Sequence, residues 1–520
     1  MQAAHRVAKN TGILYARMAI TVFISLYATR LVLAALGVAD FGLFNVVGGI
    51  IAMLGFLNSS MAAATQRFMS FAQGEGDLEK VKRIFNMSTV LHAGIAVLAV
   101  LVLEIAGYFF LNEILNIAPD RLEVAKIIYH FMVVSTFFTV LSVPYEAVIT
   151  SHENMLFYAI LGILESVLKL GIALYLTYSA FDHLIAYGFL MAALSIFLLI
   201  LRRIYCHRTY AECVFNFRKY YEKGLLKEMG GFAGWSLLGS ASSMIANYGQ
   251  GIVINVFFGT LVNAAQSIAA QISGQLGVFS LTLSKALNPL IDKSEGAGNR
   301  AMMLKATLVG TKISFFLLSF LYVPFIIEAP YILKLWLKSV PDYTVIFCRL
   351  LLLRNLIEQF YMPLTNALGA VGNIKKYQIV NSVLNIIPII VSYIFFSLGF
   401  PPFSLYIAFI LFSLLMLFNV LYFAKVNCGL QISEFLKTIV LNCFTVFLLA
   451  IAVSSIPIFV IDNEFIRFVV VCLVGCISYL TLIWLFALTK EERILVSNLK
   501  NKMVLLANNL RLGNNKFNKD

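Results

Sequence analysis

Charge is what this 520-residue chain has least of: Asp, Glu, Lys and Arg make up 12% of it, against 60% hydrophobic residues. A soluble protein of this length is excluded. With a mean hydropathy of +0.88 the composition is that of a polytopic membrane protein. Long polar stretches are missing too. The longest break between apolar runs is about 25 residues, which leaves no room for a soluble catalytic domain. The seven cysteines show no paired spacing, so no disulfide framework is expected. Cys206-His207 with Cys213 is half a metal site at most, because no second ligand pair follows it. The first apolar run carries Arg17 and Arg30, unlike the core of a cleaved signal peptide.

What is present is a series of apolar runs of helical length: 12–36, 41–66, 84–111, 122–149, 154–178, 183–203, 229–257, 262–290, 301–328, 342–369, 375–399, 402–424, 437–460 and 465–488. Each suffices to cross a hydrocarbon layer of about 30 Å. The expectation is an all-α integral membrane protein of about fourteen spans. Placing both termini and every second loop in the cytoplasm puts 27 Lys and Arg on that side and five on the other, a strong positive-inside signal. Most of the net charge of +13 is thereby topological, and no nucleic-acid partner is needed to explain it.

The chain repeats itself. Gly12, Gly37, Gly55, Gly74 and Gly76 recur 222 residues later as Gly234, Gly259, Gly277, Gly296 and Gly298, where chance would align about one pair. Past residue 78 the offset becomes 219, with Pro144, Asn154, Tyr158 and Ile160 falling on Pro363, Asn373, Tyr377 and Ile379. The expected organisation is a first lobe of six spans (1–203), a basic cytoplasmic linker (204–228), a second lobe of six (229–424), two further spans (425–488) and a cytoplasmic tail (489–520). Duplicated membrane halves point to transport, because two similar lobes can rock about a site held between them.

Polar residues at helical spacing mark the faces that avoid lipid. In the seventh span Ser236, Ser240, Ser243, Asn247 and Gln250 share one face; in the eighth Ser267, Gln271, Gln275, Thr282 and Lys285 do. Shifted back through the repeat, Ser243 and Asn247 become Thr21 and Ser25, and Arg17 stands one turn before them on the same stripe. The fourth and tenth spans pair Ser135, Thr139, Ser142 and Glu146 with Arg354, Glu358, Tyr361 and Thr365. Such stripes suit a hydrated cavity; a dry bundle held by interhelical hydrogen bonds is the plainer account.

The intramembrane cations are Arg17, Arg30, Lys169, Lys285, Lys312, Arg349 and Arg354, against the acids Glu104, Glu146, Glu165 and Glu358. A central Arg or Lys costs about 2.5–3.5 kcal/mol on insertion scales, so each must be sheltered, hydrated or useful. Glu165–Lys169 and Arg354–Glu358 can neutralise each other at i,i+4, Lys285 can snorkel, and Arg30 can pair with Asp40. The remaining surplus suits an anionic cargo, phosphate above all. Arg17, Arg354, Lys285, Lys312 and Arg30 are the candidate cavity cations. Thr21, Ser25, Ser243, Asn247, Gln250, Gln271, Gln275, Thr282, Glu358 and Tyr361 are its candidate polar lining. Glu146 and Glu104 are the candidates for coupling to a proton or sodium gradient; no catalytic residue, metal site or cofactor is expected.

At this point the chain resembles the polysaccharide transporters, the Wzx-type lipid-linked oligosaccharide flippases of the MATE-like superfamily. The residues that carry the resemblance are TR-x5-LG-x2-DFG at 29–42, ATQRF at 64–68 and GEGD at 74–77. It implies a MATE-like fold of two six-helix lobes plus two extra C-terminal helices in the bacterial inner membrane. It also implies alternating access for an undecaprenyl-pyrophosphate-linked repeat unit of O-antigen, capsule or exopolysaccharide. The partners implied are that lipid-linked cargo, membrane lipids and other polysaccharide-assembly proteins. In the family, cavity arginines hold the anionic headgroup, a role that would fall to Arg17 and Arg354. A cation-coupled small-molecule exporter on the same fold is the alternative, although the first span lacks the acid it would want. A glycan polymerase would need catalytic residues in sizeable outer loops, and these loops are short.

Overall fold

The computed structural model describes residues 2–52, 55–114, 119–337, 340–488 and 493; the tail 489–520 otherwise lies outside the described residues. Its helices are α1 (Gln2–Ala52), α2 (Gly55–Glu75), α3 (Leu78–Phe109), α4 (Leu122–Ser151), α5 (Met155–Tyr178), α6 (His183–Thr209), the short α7 (Phe217–Tyr220), and α8 (Lys223–Gly296). There follow α9 (Arg300–Leu337), α10 (Thr344–Val371), α11 (Lys375–Ser397), α12 (Ser404–Phe423), the short α13 (Ile432–Phe435), α14 (Leu441–Ser454) and α15 (Glu464–Leu482). No strand occurs among the described residues.

The fourteen apolar runs fall in these helices to within a few residues, and among the described residues ten helices are long and apolar enough to be recognised as spans by composition. Of the remaining runs, 41–66 includes two positions outside the described residues, while 229–257, 262–290 and 342–369 carry polar stripes. A helix that turns one side to an internal cavity needs fewer apolar residues than one bathed in lipid.

The repeat is written into the backbone. Within α1 the helical path breaks at Gly37 (φ 74°, ψ 169°), and within α8 at Gly259 (φ 75°, ψ −170°). That region of backbone space is open essentially to glycine alone. At Gly259 the chain doubles back, bringing Gln266 beside Gly251, so one glycine makes the whole reversal between two spans. The second offset recurs as well: Glu153 (φ 57°) and Gly372 (φ 94°), 219 residues apart, both open the α4–α5 and α10–α11 connections with positive φ.

One end of the molecule is closed where α2 crosses α8. A Cβ on Gly74 would fall under 3.0 Å from the backbone of Lys293, and one on Gly296 equally close to the backbone of Phe71. Phe71 and Lys293 are themselves repeat mates, so the crossing is pseudo-symmetric. Each side then reaches across. Arg67 of α2 donates to Ala370 O (2.8 Å) at the α10–α11 connection. Lys293 of α8 donates to Glu153 Oε1 (3.1 Å) at the α4–α5 connection. Gln66 adds a hydrogen bond to Asp292 Oδ2 (3.1 Å), and Ser60 one to Ser240 (2.7 Å).

Two of the membrane-embedded charges serve the fold. Pro330 in α9 has no N–H to offer Ile326 O; the Arg349 guanidinium donates to that carbonyl at 2.9 Å and to Ile327 O at 3.4 Å. Glu328, at the kink of α9, receives Arg467 of α15 through two hydrogen bonds of 2.7 and 3.1 Å. That bidentate pair ties the last helix to the second lobe.

Candidate functional site

The helices of the second lobe, with Ser60, Ala63, Gln66 and Arg67 of α2, line a cavity of about 1070 Å³. The seventh-span stripe lies along it complete: Ser236, Ser240, Ser243, Asn247 and Gln250. So does the tenth-span stripe of Arg354, Glu358, Tyr361 and Thr365. In the eighth span a different face does the lining, through Gln266, Ser273, Ser280 and Asn288. Ser267, Gln271, Gln275, Thr282 and Lys285 do not line it; Thr282 Oγ1 instead touches Met18 Sδ of α1 at 4.0 Å.

The repeat explains why the cavity stands where it does. Arg17 of α1 lays its guanidinium 4.6 Å over the Tyr158 ring and against Gly162 of α5. The mate of Arg17 in the second lobe is Gly239, and the mate of Tyr158 is Tyr377; both line the cavity. Arginine fills the position in the first copy. In the second, glycine leaves room for the Gln378 side chain, whose Oε1 a Cβ there would meet under 3.0 Å away.

The candidate cations are therefore dispersed. Of the five, Arg354 lines the cavity; its Nε lies 2.9 Å from Glu358 Oε1 and its guanidinium 4.7 Å over the Phe409 ring. Lys285 meets Arg17 outside it: Nζ donates to the Tyr158 hydroxyl at 3.0 Å, with Glu146 in electrostatic reach. Arg17 and Lys285 thus share one tyrosine at the junction of α1, α5 and α8. Tyr15, two residues before Arg17, donates to Phe279 O (2.9 Å) and closes the same junction. Thr21 is half-buried and Ser25 exposed, both on α1 and neither in the cavity. Lys312 of α9 is buried and partnered. Arg30 is exposed, and Asp40 is taken by Arg121 instead. Glu104 faces His130 at 3.1 Å in a mostly apolar niche of about 400 Å³ between α3 and α4.

Residues that the sequence had not singled out complete the cavity floor. Arg67, just past its apolar run, is packed among Phe68, Phe71 and Phe232. Asp292, just past 262–290, is fully enclosed, and burial pushes its carboxyl up to about 7 in spite of the lowering pull of Arg67. Burial likewise lowers Arg67, against the raising fields of Asp292, Glu228, Glu295 and Glu75. The sole sequence signal for Arg67 was its place in ATQRF; Asp292 carried none. No group of three or more potential metal ligands occurs among the described residues.

No family model and no curated protein matches the chain. Solved structures do. An outward-facing multidrug resistance MATE family transporter of the MOP superfamily superposes with a TM-score of 0.70 at 15% identity, over 82% of this chain and 95% of that one. A MATE in the bent conformation gives 0.68 at 18% identity, over 84% and 97%. A MOP superfamily transporter from Pyrococcus furiosus, whose binding pocket of reverse polarity suggests a different function, gives 0.67 at 16% identity, over 82% and 95%. The chain has the all-helical, two-lobed MATE fold and is a multi-pass membrane protein; its described relatives in structure are transporters.

Proposed function

We propose that this chain is a flippase that carries a lipid-linked oligosaccharide across the bacterial inner membrane by exposing its interior alternately on the two sides. The observation that carries the reading is the convergence of Arg17 and Lys285, from helices of different lobes, on Tyr158. Two cations with one nearby carboxylate, Glu146, leave positive charge at a junction between lobes, at the flank of the bundle. That suits a pyrophosphate whose prenyl tail stays in lipid while its sugars go inward.

With the positive-inside assignment, the end closed at Gly74 and Gly296 is cytoplasmic, and both termini lie on that side. Membrane lipids and other polysaccharide-assembly proteins are the expected partners, with no nucleic acid and no cofactor. Coupling to protons or sodium would pass through Glu146 or Glu104. The protein acts as a transporter and catalyses no covalent step. A cation-coupled exporter is the second reading, favoured by the two carboxylates, Glu358 and Asp292, inside the cavity.

Deleting the gene should trap an undecaprenyl-linked glycan on the cytoplasmic side. Arg17→Ala and Lys285→Ala should fail to restore surface polysaccharide although both proteins insert. Normal surface polysaccharide together with unchanged lipid intermediates in the deletion strain would sink the proposal.

A further inference from the structure

We infer that the second-lobe cavity is a chamber for the uncharged, hydroxyl-rich part of the cargo, a neutral oligosaccharide, and that phosphate is held elsewhere. The inference deepens the flippase reading and rests on it.

Charge decides first. The cavity lining carries two cations, Arg67 and Arg354, and two acids, Asp292 and Glu358. A phosphate site wants a surplus of cation and an organic-cation site a surplus of acid; neither exists here. Nor is either arginine idle. Arg354 lies against Glu358 and Phe409. Arg67 is spent on Ala370 O and three phenyl rings.

The remaining chemistry is that of neutral hydrogen bonding. Eleven of the 41 lining residues are Asn or Gln, seven are Ser or Thr, and four are Tyr. A carboxamide offers two donor hydrogens and two acceptor lone pairs without charge. It therefore matches sugar hydroxyls, which donate and accept at once. The internal bonds use only part of that capacity: Asn366 donates to Asn288 (2.9 Å), Asn385 to Ser243 (3.2 Å), and Tyr377 to Asn381 (3.3 Å). Tyr248, exposed on the lining, adds an aromatic face for the apolar face of a pyranose. At about 1070 Å³ the space exceeds the roughly 300–1,000 Å³ of ordinary small-molecule pockets.

The test is a photo-crosslink in living cells, which detects the captured glycan by its mass whatever its sugars are. In the deletion strain, the full chain carries p-benzoylphenylalanine at Met362, an exposed position on the cavity wall, or at Ser25 on α1 as the control. Adducts are weighed before and after mild acid, which splits the glycosyl phosphate. Expected at Met362 is an adduct of successive sugar masses that survives acid, about tenfold above Ser25. Asn381→Leu with Asn385→Leu should lower it about tenfold, the consequence of unpaired polar groups on the ligand. A prenyl or phosphate adduct without sugar at Met362 overturns the inference. So does no sugar adduct in cells whose surface polysaccharide is restored. Failure of the flippase reading shows separately, as a deletion strain in which no lipid-linked glycan accumulates.

Discussion

Replacing Gly74 and Gly296 by alanine should pry open the end of the molecule that this structure shows closed. At each position a Cβ would fall under 3.0 Å from opposing backbone, whereas ordinary contact is 3.4–4 Å. A backbone cannot rotate aside as a long side chain can, so α2 and α8 must separate. Overpacking of this kind costs about 1–3 kcal/mol. The two sites share one crossing, so the double variant should cost less than their sum. Separating α2 from α8 relieves both contacts, so the penalty falls on the closed state. A shift of 1–3 kcal/mol moves a two-state population by about 5- to 150-fold. Spin labels at Glu79 and Ala301, repeat mates on the exposed starts of α3 and α9, report it by electron–electron distance measurement, with the exposed Cys476 and half-exposed Cys472 changed to serine. The closed-end distance should lose population in Gly74→Ala, in Gly296→Ala, and most in the double variant. Distributions indistinguishable from the parent would refute this reasoning, since two added methyl groups would then have found room that the crossing lacks.

Asp292 should make the same closure pH-dependent. Its pKa of about 7 in the closed state lies above the ordinary 3.8, so the closed state holds the proton more tightly than an opened, hydrated one. Closure is accordingly favoured below about pH 4 and loses on the order of 4 kcal/mol as pH rises through 7. Asp292→Asn should flatten the labelled-distance profile between pH 5 and 8, and an unchanged slope would refute the assignment. Arg349→Leu leaves Ile326 O and Ile327 O without their side-chain donor and should destabilise the protein by about 1–3 kcal/mol, read as a lower unfolding temperature in detergent. Equal melting of variant and parent would count against the carbonyl-capping role. Glu328→Ala removes both hydrogen bonds to Arg467, which keeps the fields of Glu464 and Asp462, and should cost about 1–3 kcal/mol; wild-type thermal stability would show the pair to be incidental.

The local features of the chain were open to reading in one dimension. Span positions follow from apolar length, and the reversal at Gly259 follows from a residue type that alone tolerates the required backbone. The stripes Ser236–Gln250 and Arg354–Thr365 meet the cavity because helical periodicity fixes which residues share a face. Periodicity cannot choose between two polar faces of one helix. The eighth span carries both, and its longer stripe favoured Ser267, Gln271 and Gln275 where packing sets Gln266, Ser273 and Ser280 against the cavity. Charge was harder still. Seven embedded cations suggested one cationic chamber, yet Arg349 serves a carbonyl freed by Pro330, Arg354 lies beside Glu358, and Arg17 meets Lys285 at another junction. Partners such as Arg67 with Ala370 stand 303 residues apart, and nothing in a linear pattern encodes such a distance. The sequence by itself determined the membrane class, the duplication and the glycines on which it turns, because these depend on neighbours along the chain. Only the tertiary structure decided which charges are spent on the fold and which cavity is neutral, because a charge takes its role from whatever is folded against it.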